Sequence, residues 1–315
     1  MPSIKTGIAL WSQASQWAAF LDAAKLIDRL GYDTLFTDDH LYADTGAWDQ
    51  DKHEAWTTLA AWAMATERVQ LGHFVLANTF RNPGLVVKSA ITVDHISGGR
   101  AFLGLGAGWF ELEHTAFGLD FGATAGERLK WFDEAVGIMR ALLDGQTVTH
   151  AGPRYHTQEL RVLPLPVNGH MPIMIGGAGE KKTLRTVAKY ADMWHVYTRP
   201  VDDMQHKLDV LQEHCAAVGR DMADIELVLT PRMLVIRDDA AEARRVFEAA
   251  AAHNRMEFSA PDDHPWWGSP AEIAERLAPY VELGFQHIVG DLPAPFDTET
   301  IERLVGEVKP LLERG

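Results

Sequence analysis

One pattern limits this chain more than any other. A short β-rich run, a polar or glycine-rich break and a helical stretch recur eight times. The β runs are read at 4–10, 34–37, 69–77, 101–105, 173–175, 193–196, 225–229 (with an extension to 236) and 287–289. Helical spacing is plainest in Trp17, Phe20, Leu21, Ala24 and Ile27, stopped by Gly31. It recurs in Leu129, Phe132, Val136, Met139 and Leu143, stopped by Gly145, and in Leu208, Leu211, Cys215 and Val218, stopped by Gly219. Further helices are read at 53–66, 83–96, 181–190, 240–255 and 298–313. After a loop rich in Pro, Asp and Trp at 258–268, Ser269, Pro270 and Glu272 form a capping-box signature that opens a helix running to Gly284. The rhythm breaks once, at 146–171, where Pro153, Pro164 and Pro166 indicate an inserted hairpin or extended loop. A doubly wound open sheet with two added elements is the alternative. Eight alternating units favour an α/β fold of the (β/α)8 TIM-barrel type, with an insertion between units four and five and a single domain over 1–315.

Composition removes several partners. Lys plus Arg is 29 and Asp plus Glu is 44, for a net charge of −15, which disfavours nucleic acid and anionic membrane surfaces. The single cysteine, Cys215, leaves no intramolecular disulfide framework and no CxxC zinc site. No basic segment followed by an apolar one opens the chain, and no apolar run approaches membrane-span length, so the expected location is the cytoplasm.

In a barrel of this type, chemistry belongs to the loops after the strands. Those loops hold Asp38-Asp39-His40, Asn78-Thr79-Phe80-Arg81, Gly104 to Trp109, Gly176 to Gly179, and Trp194-His195. Each has a structural alternative: a turn or cap for Asp39, a satisfied core histidine for His40, packing for Trp109 and Trp194. Gly104-x-Gly106-x-Gly108 is a poor dinucleotide fingerprint, because a third glycine is missing at the required spacing and no helix is read directly behind it. Gly176 to Thr183 departs from a P-loop at Glu180. The better reading is a phosphate site, with glycines that admit close backbone approach, a helix N-terminus near 180, and Lys181, Lys182 and Arg185 nearby. A tight turn with a solvated basic face is the alternative. No HExxH, no GxSxG and no strand-end lysine is present, so a zinc hydrolase, a serine hydrolase and a Schiff-base aldolase have little support, and no metal ligands are assigned.

Three stretches carry a resemblance: Thr92-Val-Asp-His-Ile-Ser-Gly-Gly-Arg100, Leu103-Gly-Leu-Gly-Ala-Gly-Trp-Phe-Glu-Leu-Glu-His114, and Gly176-Gly-Ala-Gly-Glu-Lys-Lys-Thr-Leu-Arg185. Through them the chain resembles the luciferase-like monooxygenase superfamily, in particular its oxidoreductases dependent on coenzyme F420, a deazaflavin. The resemblance implies a barrel with an insertion before strand five and a flavin-type ring across the strand C-termini. The cofactor is then coenzyme F420, with FMN as the alternative. Asp39 and His40 match the family's Asp-His pair beside the ring, and His40 is implied as proton acceptor near the hydride-transfer carbon. Phe74-Val75 matches a non-prolyl cis peptide under the ring, and Gly176 and Gly177 match the phosphate loop. Asn78, Gly106, Gly108, Ala178, Gly179 and Trp194 complete the cofactor-binding set, and Trp109 joins His40 as the catalytic pair.

Two departures matter. Deazaflavin dehydrogenases carry a Trp four residues after the His and a Glu after the strand-four glycines. Here those positions hold Asp44 and Trp109, and Trp48 is the substitute on offer for the first. The acid of alcohol oxidation is then absent, which counts against sugar phosphates and simple alcohols. Trp109 offers an apolar wall and one N–H donor, which suits a bulkier organic substrate. The expected activity is hydride transfer between coenzyme F420 and a small organic molecule. The alternatives are an FMN-dependent monooxygenase using externally reduced flavin, a coenzyme-binding protein without turnover and, more remotely, a metal-dependent hydrolase. Dimers among relatives, with ten Trp available as interface anchors, make a homodimer an expectation.

Overall fold

The structure is a computed structural model that describes residues 3–257 and 266–314. Of the loop read at 258–268, residues 258–265 lie outside the described residues. The barrel strands are Lys5–Leu10, Thr34–Thr37, Gln70–His73 continued by Leu76–Ala77, Leu103–Gly106, Ile173–Gly176, Met193–Tyr197, Glu226–Thr230 and His287–Leu292. They form one nine-segment sheet of parallel pairings, the ninth segment arising because the third β run is broken in two at Phe74-Val75. Its first half pairs with strand two and its second half with strand four, which closes the cylinder. Leu71 adds the join lower down, donating to Arg100 O at 2.9 Å and accepting from Phe102 N at 3.0 Å. The expected α/β barrel and its insertion before strand five are therefore both present.

The local signals work as their chemistry requires. Helix Trp17–Leu30 buries Phe20, Ala23, Ala24 and Ile27 against the sheet, and Gly31 ends it with φ 82°. Ser269 and Glu272 cap helix Pro270–Glu282 reciprocally, satisfying two otherwise free amides. The insertion contains an antiparallel hairpin, Val148–Ala151 with His156–Leu160.

Three sequence readings need correction. The long loop expected after strand four contains a helix, Glu111–Phe117, opened at Phe110 and closed by Gly118 in the left-handed conformation. One ground for rejecting a dinucleotide fingerprint therefore falls, although Glu111 and Glu113 in the first turn are the wrong charge for a phosphate. Val235–Ile236 does not extend strand seven; it pairs with Trp267–Gly268 outside the barrel. The helix after strand five begins at Thr183, later than expected.

Side chains alternate across each strand, so every second residue faces the barrel interior. Three levels follow. At the base, Thr34 Oγ1 meets His287 Nε2 at 2.8 Å, and His287 Nδ1 meets Glu226 Oε1 at 2.7 Å. Above them Ala9, Phe36, Phe102, Met174, Val228 and Val289 make an apolar plug. Near the C-terminal rim, His195 packs against the Phe74 ring at 4.2 Å between centroids and meets Thr230 Oγ1 at 3.1 Å. Burial in this apolar setting, with His287 below, pushes the His195 pKa down to about 3. The native state thus keeps His195 neutral where the unfolded chain binds a proton. Its contribution to stability is complete above the unfolded value of about 6.5 and is lost as pH falls toward about 3. His195→Gln should reduce the pH slope of unfolding free energy between pH 4 and 6 by about 1.4 kcal/mol per pH unit. Urea denaturation across that range measures it, and an unchanged slope contradicts the assignment.

Candidate active site at the barrel mouth

The C-terminal rim has two unlike halves. On one half, strands three, four and five approach so closely that side chains are excluded. A Cβ on Gly104 would lie 1.9 Å from His73 O. Cβ atoms on Gly106 and Gly176 would meet Val75 Cγ2 at 2.6 Å and Val75 Cγ1 at 3.1 Å. Val75 therefore sits between two glycines on neighbouring strands, and the Phe74-Val75 peptide is cis. Gly108, at φ 80°, packs onto Thr79, leaving no room for a side chain. The outcome is an apolar shelf made mostly of backbone.

The loop after strand five borders this shelf. Gly177 adopts φ 118°, a conformation open to glycine. Trp194 is fully buried and donates its indole N–H to Gly177 O at 2.8 Å, so it fixes the loop from below. Gly177 N is taken by His195 O at 3.1 Å. The next amides, of Ala178, Gly179 and Glu180, donate to no described group and stand ahead of helix Thr183–Tyr190. Lys182 Nζ is held at 2.6 Å by Gly126 O. Free amides at a helix start beside a lysine suit an anion. Glu180 is engaged elsewhere, with Lys207 and with His206 at 3.3 Å.

Across the rim, strand two ends in a chain of charges. Asp39 is 1% exposed and bonded twice by Arg81, at 2.7 and 3.0 Å, and once by Ala77 N at 3.1 Å. Burial raises its pKa, and Arg81 opposes the rise. Asp38 receives Ser12 N and Oγ at 3.1 and 2.8 Å and contacts the buried Lys52. Burial would push Asp38 up, but Lys52 and His40 bring it down to about 2. Lys52 also reaches Asp44, at 3.6 Å. Asn78 is buried and donates to Tyr155 OH at 3.1 Å, which ties strand three to the insertion.

His40 stands in this chain with both ring nitrogens engaged. Nδ1 lies 2.9 Å from Glu113 Oε1, and Nε2 lies 3.7 Å from Asp44 Oδ2. Glu113 is 1% exposed, and its other oxygen accepts from Leu41 N at 2.8 Å. Burial disfavours the imidazolium, but the Glu113 hydrogen bond and the Asp44 charge outweigh burial and Lys52, so the His40 pKa lies above the ordinary value. Trp109 and Phe110 face the His40 ring edge-on at 5.5 and 6.0 Å, and Trp109 is 60% exposed. Trp48 packs on Tyr42 instead, at 5.1 Å, so the indole beside His40 belongs to Trp109.

Sequence reasoning missed Glu113 and Lys52. Glu113 lay in a quoted motif, but its seven-residue helix was read as loop, so its inward face went unnoticed. The available signal was two acidic residues in a first turn followed by Gly118. Lys52 gave no local signal, since its carboxylate partners sit 8 and 14 residues away on an irregular loop. Among the described residues, no group of three or more His, Cys, Asp or Glu could hold a metal ion, and no helix is long and apolar enough to cross a membrane.

Removal of the Glu113 charge tests the pair. Glu113→Gln should lower the His40 pKa toward the ordinary value, followed by NMR of the imidazole Cε1–H. His40 stabilises the fold fully below its unfolded pKa, and that contribution fades as pH rises through the folded value. The variant should therefore lose stability chiefly at pH 5–6 rather than at pH 9. An unmoved His40 titration would remove Glu113 from this role.

Comparison with known proteins agrees with the barrel fold. The sequence matches the luciferase-like monooxygenase family model over residues 3–265. It is 28% identical over 313 residues to the F420-dependent glucose-6-phosphate dehydrogenase of Microbacterium testaceum, covering 91% of this chain and 90% of that protein. The corresponding dehydrogenase of Beutenbergia cavernae is 29% identical over 318 residues, covering 91% of each chain. An F420-dependent secondary alcohol dehydrogenase, solved with an F420-acetone adduct, superposes with a TM-score of 0.81 at 18% identity, covering 98% of this chain and 99% of that one. An FMN-bound type II Baeyer-Villiger monooxygenase from Pseudomonas putida superposes at 0.75 with 17% identity, covering 98% and 99%. With the match running from before strand one to beyond strand seven, more than half of its length, the chain belongs to the luciferase-like monooxygenase family.

Proposed function

We propose that the protein is an oxidoreductase that binds coenzyme F420 and moves hydride between it and a small organic substrate. The observation that carries this reading is the backbone shelf at Gly106, Val75 and Gly176, bordered by unbonded amides at Ala178, Gly179 and Glu180. A flat aromatic ring needs an apolar surface without projecting Cβ atoms, and a phosphate on its tail needs free N–H groups. The residues present fit both needs. The F420-dependent names of the two dehydrogenases, over nine-tenths of the chain, support the choice of coenzyme.

When bound, the coenzyme supplies a ring carbon that gives or accepts hydride. The chain supplies the rest. Gly106, Val75 and Gly176 would hold the ring face, the amides of Ala178, Gly179 and Glu180 the phosphate beyond the turn at Gly177, and Lys182 its charge. Phe74, Asn78, Gly108 and Trp194 would act by keeping those groups in place, and the Asp39–Arg81 pair by bracing the rim beneath His40. His40 holds the exchangeable proton at Nε2, with Glu113 setting its orientation and raising its pKa. Trp109 and Phe110 would exclude water from that proton and provide the apolar wall for the substrate.

Fluorescence titration with each coenzyme tests the proposal. Saturable binding of F420 without a response to FMN is expected. The reverse, with oxygen uptake during turnover, would make the protein an FMN-dependent monooxygenase. His40→Ala should abolish turnover on a panel of alcohols and carbonyl compounds while keeping most of the coenzyme affinity. Unchanged turnover would take His40 out of the mechanism, and binding of neither coenzyme would overturn the proposal.

A further inference from the structure

His40 has a carboxylate near each ring nitrogen, but the two stand at unlike distances. Glu113 Oε1 is 2.9 Å from Nδ1, a hydrogen bond, whereas Asp44 Oδ2 is 3.7 Å from Nε2, too far for one. On its other side, Asp44 Oδ1 stands 3.6 Å from Lys52 Nζ. Whenever His40 is protonated, Asp44 is therefore drawn by two cations, and it closes on neither. The Asp44 side chain is 24% exposed, against 4% for Lys52, so of the two it has the freedom to move.

Lys52 is fixed where it can resist that movement. Its backbone bridges to Gln13 in the loop after strand one, with Ala14 N donating to Asp51 O at 2.8 Å and His53 N to Ser12 O at 3.2 Å. Its ammonium is bonded to the buried Asp38, which Ser12 holds in turn. A lysine tied down at both ends presents a permanent charge at one point. The Asp44 loop is secured to the same wall by Gln13 Nε2, which donates to Thr45 O at 2.9 Å. The charged groups facing His40 are thus Glu113 on its helix, and Asp38, Asp39, Asp44 and Lys52 after strand two.

The distance matters because of the proton. With Nδ1 committed to Glu113, only Nε2 can exchange a proton with a substrate oxygen. In alcohol oxidation the O–H proton passes to Nε2 as the C–H hydride passes to the coenzyme, which leaves a carbonyl; reduction returns both. An imidazolium bonded to a carboxylate at each nitrogen has no N–H left for a substrate and holds its proton more tightly. Lys52 competes with His40 for Asp44 and so prevents that state.

We propose that Lys52 is a positioning residue that holds Asp44 short of His40 Nε2 and so keeps the proton there transferable. The use made of that proton rests on the hydride-transfer reading; the hold itself does not.

Proton NMR of the His40 Nε2–H group reads the hold directly, in the full chain at pH 6 with and without coenzyme F420. In Lys52→Met, Asp44 should close on Nε2. The Nε2–H signal should then move downfield, and its exchange with water should slow by roughly tenfold or more, the effect of one added hydrogen bond to a charged group. Turnover on the panel of alcohols and carbonyl compounds should fall by a similar factor while F420 affinity is kept. Adding Asp44→Asn to Lys52→Met should reverse the slowing. If the loss of Lys52 leaves Asp38 buried and unpaired and unfolds the chain, Lys52→Met with Asp38→Asn removes both charges and carries the same NMR expectation. An unmoved signal with unchanged exchange in the Lys52 variants, or slowing that persists after Asp44→Asn, would overturn the proposal. NMR changes as expected without F420 binding would remove the coenzyme reading alone; F420 binding and turnover without the NMR changes would remove this one alone.

Discussion

A methyl group cannot be placed on Gly104, because the carbonyl oxygen of His73 already stands 1.9 Å from where it would go. That close approach of strands three and four is the constraint on which the rest of the mouth depends. It closes the cylinder, and it brings Val75 over strand four and toward strand five, where Gly106 and Gly176 leave space for it. Larger residues at these positions would push the strands apart or raise side chains into the opening. The shelf is thus a consequence of barrel closure, and the ligand-binding surface and the fold share the same glycines.

The other half of the mouth is polar because nothing there needs to lie flat. Strands six and eight carry Tyr197 and Asp291 on their interior faces, and Trp11 and Asp38 follow directly after strands one and two. Burying the charges around His40 is tolerated because the cations there are paired with carboxylates: Lys52 between Asp38 and Asp44, Arg81 on Asp39. Such pairs do little for net stability, since desolvation offsets most of their attraction. Their effect is to set proton affinities. Asp38 is held strongly ionised, Asp291 is raised to about 7, and His40 keeps its proton above the ordinary range. Three titratable groups within one opening thus have three different protonation tendencies.

Much of the barrel could be read from the sequence. Alternating β and helical patterns are local, and signals such as Gly31 after a helix or Ser269 before one act over a few residues. The break within 69–77 has no propensity signal of its own, since Gln70, Gly72 and His73 do not mark where hydrogen bonding stops; only the resemblance pointed to Phe74-Val75. His40 and the loop at Gly176 were visible through position and residue type. Glu113 was not, because its function depends on a partner 73 positions away. Burial and long-range charge determine proton affinity, and neither has a local sequence signature.

A crystal structure of the protein with coenzyme F420 bound tests the central claim most directly. The ring should lie against Val75 between Gly106 and Gly176, with the phosphate on the amides of Ala178, Gly179 and Glu180. A second concavity of about 520 Å³ lies away from the mouth and is lined by Lys130, Glu134, His150 and Tyr190. A ring bound there, with the barrel mouth filled by the protein's own side chains, would contradict it.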